Sequence, residues 1–341
     1  MKLFFNSMAL VFFAALALAV LSCGGGSDSI PIPYSAPSGG NGSGGGSGGT
    51  GGSSLSDFVK VVGATISGQI GDENAIGYEN SSKVFITGRT VTIKNMRVCV
   101  HEVTQKEYES YCEYGSASSG FYPSDFYGKG DDYPAYYVSW YDALVYCNLR
   151  SIAENLEPVY SIGGYENPAQ WPDIVSVTAD GKTRYCGPSS DSDSWNGAVF
   201  NTSANGYRLP TVAEREYVAS EGNNGIPTPL KLYSGSDSID EVAWHDGNSG
   251  EKAHEIKKKK ANALGIYDMS GNVSEWVWDW GGTVSKTTPA AGPQSGTNKF
   301  YRGGSYAEGE DACCVRYDAQ IICKPKYRGR AVGFRVVRNA E

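Results

Sequence analysis

The chain has 341 residues and carries 37 Asp and Glu against 29 Lys and Arg, which gives a formal net charge of −8. Nucleic-acid binding needs a basic surface that replaces phosphate counterions, so this balance argues against a nucleic-acid partner. The 44 Gly, 23 Tyr and 7 Trp predict a loop-rich fold held by aromatic packing rather than a helical bundle.

The N-terminus has the pattern of a lipoprotein signal peptide. Lys2 precedes an uncharged apolar run over residues 10–21, and Leu21-Ser22-Cys23 follows. We therefore predict a signal peptide over residues 1–22 and lipidation of Cys23, which would anchor the protein to the outer membrane or cell surface. An uncleaved transmembrane anchor is the alternative, although the apolar run is short for a spanning helix.

A stretch dominated by Gly and Ser follows, over residues 24–54. It cannot bury enough apolar surface to offset its ordering entropy, so residues 23–54 are predicted as a lipidated cysteine and a flexible tether. Its root-mean-square reach is about 30 Å. No second low-complexity break interrupts residues 55–341, which we interpret as one domain. A tethered domain suits a ligand outside the cell or in the periplasm, and we expect a monomer.

Three helices are predicted from their N-terminal capping residues. Thr104 and Glu107 have the spacing of a capping box at the start of the first helix. Ser139 is the predicted N-cap of the second helix, and Thr211 is that of the third. The first helix is predicted to run to Cys112 and the second to Arg150, and a third helix is predicted to start at Val212.

A series of short sequence blocks runs through the predicted domain. The blocks are Val61-Val62-Gly63-Ala64-Thr65, His101-Glu102-Val103-Thr104, Tyr137-Val138-Ser139-Trp140, Tyr207-Arg208-Leu209-Pro210-Thr211, Gly271-Asn272-Val273, Arg302-Gly303-Gly304-Ser305-Tyr306 and Gly333-Phe334-Arg335. In this order they resemble the formylglycine-generating enzyme (sulfatase-modifying factor) family. The resemblance implies an α+β fold, a loop-rich single-domain variant of the C-type lectin fold. Most block residues, with Trp276, Trp278 and Trp280, are interpreted as core and turn scaffold.

The resemblance also implies a chemistry that the sequence does not preserve. Active family members oxidise a cysteine of a sulfatase to formylglycine, using O₂ and a copper(I) ion held by two thiolates. The first thiolate position falls on Glu308, a hard oxygen donor, and the second falls on Cys313, with Cys314 beside it. We therefore expect no copper and no catalysis. The alternative is a copper- and O₂-dependent oxidase with a rearranged site at Cys313 and Cys314.

The family also carries structural calcium, a cation that prefers oxygen ligands. By this resemblance, Gly271 and Val273 would supply backbone carbonyls and Glu275 a carboxylate. The alternative is that Glu275 caps a buried turn. A second family calcium site has no clear ligand set here, although Asn248 lies near its expected place.

The other cysteines and histidines indicate no further site. His101, His245 and His254 fit no common zinc spacing. Eight cysteines less Cys23 leave seven, so at least one stays unpaired even in an oxidising compartment. The sequence favours no disulfide connectivity.

Residues 306–332 are chemically miscellaneous and lie between two family-like blocks. This arrangement resembles the variable region of proteins diversified by a retroelement, the treponeme variable proteins among them, which place a hypermutated stretch at the C-terminus of a C-type lectin fold. There the fold holds the backbone while exposed side chains change. The resemblance implies a non-catalytic lipoprotein that binds a protein or carbohydrate ligand through this segment. An ordinary surface loop is the alternative.

The predicted contact residues of the segment are those with exposed-looking side chains. They are Tyr306, Ala307, Glu308, Glu310, Asp311, Arg316, Asp318, Gln320, Lys326, Tyr327 and Arg328. The predicted scaffold residues are Val315, Tyr317, Ile321, Gly333 and Phe334.

Overall fold

The computed structural model describes residues 57–71, 82–114, 121–316 and 322–340, all of which belong to one compact unit. The signal peptide, Cys23 and the tether lie outside the described residues and stay predictions. Within the described ranges, no helix is long and apolar enough to cross a membrane.

Short strands and short helices are mixed along the domain. The strands are β1 (Phe58–Val61), β2 (Thr65–Ser67), β3 (Thr90–Thr92), β4 (Met96–Cys99), β5 (Tyr160–Ser161), β6 (Val175–Ala179), β7 (Lys182–Cys186), β8 (Val199–Phe200), β9 (Ser274–Trp280), β10 (Lys299–Arg302), β11 (Ile322–Cys323), β12 (Val332–Phe334) and β13 (Val337–Asn339). The helices are α1 (Gln105–Glu109), α2 (Trp140–Ala153), α3 (Asp193–Asn196), α4 (Val212–Ala219), α5 (Ile239–Val242) and α6 (Glu310–Cys313). This mixture confirms the predicted loop-rich α+β fold.

Two sheets organise the domain. In the first, the strand order is β1-β4-β13, so strands from both ends of the described chain flank β4. In the second, the order is β11-β10-β9-β12, with β9 antiparallel to β10 and parallel to β12. The segment 306–332 begins shortly after β10 and ends at the first residue of β12. Both of its ends are therefore held to the same strand, β9.

All three predicted helix starts are confirmed. Thr104, Ser139 and Thr211 each form a capping box, in which the side chain accepts from the third residue of the helix and that residue's carboxylate accepts in return. Two ends differ from prediction, because α1 stops earlier than expected and α2 runs longer. Capping side chains mark a helix start locally, whereas these helix ends depend on the packing around them.

Tryptophans form the centre of the core between α2 and β9. Trp140 and Trp276 are fully buried, and each indole N–H donates to a backbone carbonyl across the core, at 3.0 and 2.8 Å. Arg208 is also buried, and it forms a bidentate pair with Glu214, with N–O distances of 2.7 and 2.8 Å. These contacts support the interpretation of the block residues as scaffold.

Candidate ligand-binding surface

A buried ion-pair cluster, called here the Glu275 clamp, joins β9 to α4 and to the residue that follows β12. Glu275 on β9 is fully buried, and its Oε2 accepts from Arg215 Nε of α4 at 2.8 Å. Its Oε1 accepts from Arg335, just after β12, at 2.9 and 3.1 Å. Burial by itself would raise the pKa of Glu275, but the two guanidinium groups outweigh it and hold that pKa below its usual value.

The Glu275 clamp does not fit the calcium site predicted at Gly271, Val273 and Glu275. Both carboxylate oxygens of Glu275 already bind guanidinium groups, and two positive charges there would repel a cation. Asn248, which lies near the expected place of the second family calcium site, accepts from the His245 backbone N–H through its Oδ1 at 3.0 Å. Glu275 is thus a buried structural residue, although it pairs with two arginines and the turn itself is held by Glu102 rather than capped by Glu275.

The turn that leads into β9 is fixed by a second buried carboxyl group. Glu102 accepts from Asn272 Nδ2 at 2.7 Å and from the Val273 backbone N–H at 3.0 Å. Its pKa is raised well above the usual value, first because of burial and then because of the nearby Asp268 and Glu275 carboxylates. The sequence analysis placed Glu102 in a family-like block but missed this positioning role, because its partners lie about 170 residues away.

Glu308 is the residue that the motif spacing matches to the family's first copper thiolate. Its Oε2 accepts from Ser305 Oγ at 2.8 Å and from Ser274 Oγ at 3.0 Å. These two hydrogen bonds hold the Glu308 side chain at the edge of β9. Both are made to Oε2, so a metal bound at that oxygen would have to compete with two hydroxyl groups. A hard oxygen donor hydrogen-bonded in this way is a poor ligand for copper(I).

The two thiols near Glu308 are held away from solvent. Cys313 is fully buried and Cys314 is nearly so. Burial raises the pKa of the Cys313 thiol, and the Glu308 carboxylate raises it further. Cys314 Sγ lies 3.7 Å from the Glu310 carbonyl oxygen. Since copper(I) binds thiolates, the burial of both thiols and the raised pKa of Cys313 make the rearranged site at Cys313 and Cys314 a poor fit for copper(I).

The start of the segment depends on two glycines with positive φ. Gly303 and Gly304 have φ of 103° and 69°, a region that other residues rarely adopt. A Cβ on Gly304 would lie 2.7 Å from both the Ala312 backbone and Cys313 Sγ. The glycines therefore let the chain turn sharply out of β10 and allow α6 to pack close beneath the turn.

Three of the predicted contact residues are buried, and their predicted exposure is wrong. Tyr306 is 1% exposed and Arg316 is 4% exposed; the Tyr306 ring packs in a small apolar cluster with Tyr136 and Val273. Arg328 is 7% exposed, because its guanidinium binds both Asp142 carboxylate oxygens at 2.8 Å. Arg316 lies inside the domain, close enough to the Glu216 carboxylate for the two charges to attract each other.

The remaining described contact residues face solvent at least in part. Ala307, Glu310, Asp311 and Tyr327 are exposed, while Glu308 and Lys326 are half-buried. Asp318 and Gln320 lie outside the described residues, as do the scaffold residues Tyr317 and Ile321. Val315, Gly333 and Phe334 are buried, as predicted. The segment thus alternates buried anchors with displayed side chains.

The fold and the site together define a C-type-lectin-like domain of the formylglycine-generating type with a glutamate at the first copper position. A family model described as "Sulfatase-modifying factor enzyme 1-like domain" matches residues 57–340. The chain belongs to this family, and the resemblance seen in its sequence blocks is confirmed.

Comparison with individual proteins gives the same assignment. Treponema denticola variable protein 1 is a structural neighbour with a TM-score of 0.62 and 29% identity, covering 83% of this chain and 95% of that one. "Chaperone protein LppX" of Paenibacillus barcinonensis is 35% identical over 280 residues, or 77% of this chain and 87% of its own. The formylglycine-generating enzyme of Streptomyces coelicolor is 31% identical over 168 residues, 43% of this chain and 52% of the enzyme.

Proposed function

We propose that this protein is a surface-displayed lipoprotein that binds a protein or carbohydrate ligand through the exposed residues of segment 306–332, without catalysis. The observation that carries the proposal is Glu308, a hydrogen-bonded carboxylate where the family chemistry needs a thiolate. A second support is the division of the segment into anchors, such as Arg328, and displayed side chains, such as Glu310 and Tyr327. This division lets recognition change while the fold stays.

The comparisons support a binding role in two ways. The similarity to Treponema denticola variable protein 1 extends over nearly the whole of that chain. The Paenibacillus relative is named a chaperone, which is a binding rather than a catalytic role. The lipid anchor at Cys23 and the tether belong to the same proposal, because they would hold the domain away from the membrane and let it reach a ligand.

The copper position provides the first test. The wild-type protein is expected to bind no stoichiometric copper(I) and to leave a sulfatase-type cysteine peptide unoxidised, as followed by peptide mass. Replacing Glu308 by Cys restores the five-residue spacing to Cys313, and we expect at least about a tenfold gain in copper(I) affinity. Ala307→Cys is the matched control, since it adds an exposed thiol next to the site without restoring the spacing.

The same assay decides against the oxidase alternative. Stoichiometric copper in the wild-type protein, together with aldehyde formation on the peptide, would overturn the non-catalytic proposal and assign the chemistry to Cys313 and Cys314. Loss of that activity in Cys314→Ser, with Cys313 intact, would then identify the rearranged pair.

Diversification by a retroelement is the second part of the proposal and has its own test. In a culture grown from one cell, deep sequencing of the codons for residues 296–341 is expected to show substitutions at the displayed positions, such as Glu310 and Tyr327. Codons for Gly303, Gly333 and Phe334 are expected to stay constant, because these residues are buried. A uniform segment with no near-copy in the neighbouring DNA would contradict diversification.

A further inference from the structure

A cluster of exposed aromatic side chains lies beside the segment 306–332 but comes from an earlier part of the chain. Phe126 is 70% exposed and Phe121 is 40% exposed, and Tyr327 of the segment itself is 42% exposed. Single exposed apolar residues are ordinary on protein surfaces, whereas a contiguous group indicates an interaction site. We refer to Phe121, Phe126, Tyr127, Tyr137 and Tyr327, together with Arg330, as the aromatic patch.

The four patch rings from residues 121–137 form a continuous chain of contacts. The ring centroids of Phe126 and Tyr127 are 4.8 Å apart, those of Tyr127 and Tyr137 are 6.5 Å apart, and those of Tyr137 and Phe121 are 5.6 Å apart. Aromatic pairs at such distances stabilise one another by edge and tilted packing. The patch is therefore a preformed surface rather than a set of independent side chains.

The aromatic patch is joined to the C-terminal segment by backbone and side-chain contacts. The Tyr137 N–H donates to the Gly329 carbonyl at 2.9 Å, and Arg330 Nη1 donates to the Tyr127 hydroxyl at 3.2 Å. The Arg330 guanidinium also lies 5.1 Å from the centroid of the Tyr127 ring. The Tyr327 ring covers Gly329, where a Cβ would meet ring atoms at 2.7 to 3.0 Å.

Tyr137 adopts a backbone conformation that tyrosine seldom takes. Its φ is 59°, in the left-handed region that costs a residue with a large side chain free energy. This conformation places the Tyr137 ring between the rings of Phe121 and Tyr127. A strained residue at the centre of an exposed cluster is a second indication that the surface is built for contact.

The charge and composition of the aromatic patch specify its partner. Arg330 is exposed, and no carboxylate oxygen of the described residues lies within 4.0 Å of its guanidinium nitrogens, the distance of an ion pair. Aromatic residues and arginine dominate the central contacts of protein interfaces. The two most exposed rings of residues 121–137 are those of Phe126 and Phe121, which have no polar group to bind sugar hydroxyls. These features favour a protein partner over a glycan.

We propose that the aromatic patch is a second part of the ligand-binding surface, and that its partner is a protein presenting a carboxylate beside an apolar side chain. The carboxylate would bind the Arg330 guanidinium, and the apolar side chain would pack against Phe126 and Tyr137. This inference rests on the proposed binding function and extends it, because most of the patch lies outside the segment 306–332.

A random twelve-residue peptide library displayed on phage, selected against the full chain in detergent, tests this inference. Selected peptides are expected to carry Asp or Glu within a few positions of Phe, Tyr, Trp or Leu. Phe126→Ser and Arg330→Glu are each expected to weaken binding of a selected peptide at least about tenfold, the effect of losing one central contact. Replacing the peptide's acid by Lys is expected to restore binding to R330E. Val199→Ser is the matched control, because Val199 is 61% exposed on β8 and belongs to no patch contact.

The outcomes separate this inference from the binding function on which it rests. If peptide binding is lost in Glu310→Arg but is unchanged in F126S and R330E, the ligand-binding proposal stands and the aromatic patch has no part in it. Selection of peptides without an acidic residue, or binding of an array glycan and of no peptide, would overturn the proposed partner. If neither peptides nor glycans bind, both proposals are wrong. Phe121→Ser, at the opposite end of the patch, is expected to repeat the F126S result.

Discussion

Replacing Glu275 by Gln is expected to lower the free energy of unfolding by about 3–5 kcal/mol. The amide would leave the Arg215 and Arg335 guanidinium groups buried without a countercharge. Urea unfolding followed by tryptophan fluorescence measures the loss as a lower midpoint at an unchanged slope. The expected effect is large because Glu275 is fully buried, so water cannot screen the charges left behind.

The control for this variant is Glu241→Gln. Glu241 also pairs with a cation, Lys260, at 3.0 Å, but its side chain is 51% exposed. Solvent screens such a pair, so the unfolding midpoint is expected to stay where it is. An E275Q protein as stable as the wild type would show that the Glu275 clamp does not hold the domain together, and would reopen the question of calcium at that carboxylate.

Replacing Arg328 by Ala is expected to destabilise the domain by a similar amount, about 3–5 kcal/mol. The substitution leaves the buried Asp142 carboxylate without its bidentate partner. It also removes the hydrogen bond from Arg328 Nη2 to the Gly187 carbonyl, 3.0 Å long. The measurement is again the midpoint of urea unfolding. Affinity for the selected peptides is measured on the same R328A protein without urea, if it is folded there.

Lys326→Ala is the matched control from the same segment. Lys326 pairs with Asp191 at 3.4 Å, and both side chains are more than a third exposed, so the loss is expected to stay below about 1 kcal/mol. If R328A proves as stable as wild type but binds the selected peptides differently, then Arg328 is a contact residue, as its polar character first indicated, and its anchoring role is refuted.

Local signals in the sequence predicted local structure well. Thr104, Ser139 and Thr211 are followed at the third helical position by a carboxylate, and this short-range pattern is sufficient to place a helix start. The ordered sequence blocks likewise predicted the fold class, because they contain the three helix N-caps and part of the buried strand β12. Both kinds of signal lie within a few residues of the feature that they specify.

The failures concern residues whose partners are far away in the chain. Arg328 looks like a surface arginine until Asp142, 186 residues earlier, is placed against it. Glu275 resembles a calcium ligand until Arg215 and Arg335, each 60 residues away, are seen on either side. The aromatic patch was missed for the same reason, since only the folded chain brings Tyr127 to Arg330, 203 residues later. A single sequence carries no record of such pairings.

The pairing of β12 and β13 with earlier strands has a consequence for protein production. β13 completes the sheet that contains β1 and β4, and Arg335 completes the charge balance around Glu275. Both follow residues 306–332 in the chain, so the ribosome must read through that whole segment in frame before either sheet can close. A frameshift or stop codon there would yield an unfolded chain open to proteolysis. Folding therefore acts as a check on the reading frame, because only chains with an intact C-terminus can complete both sheets.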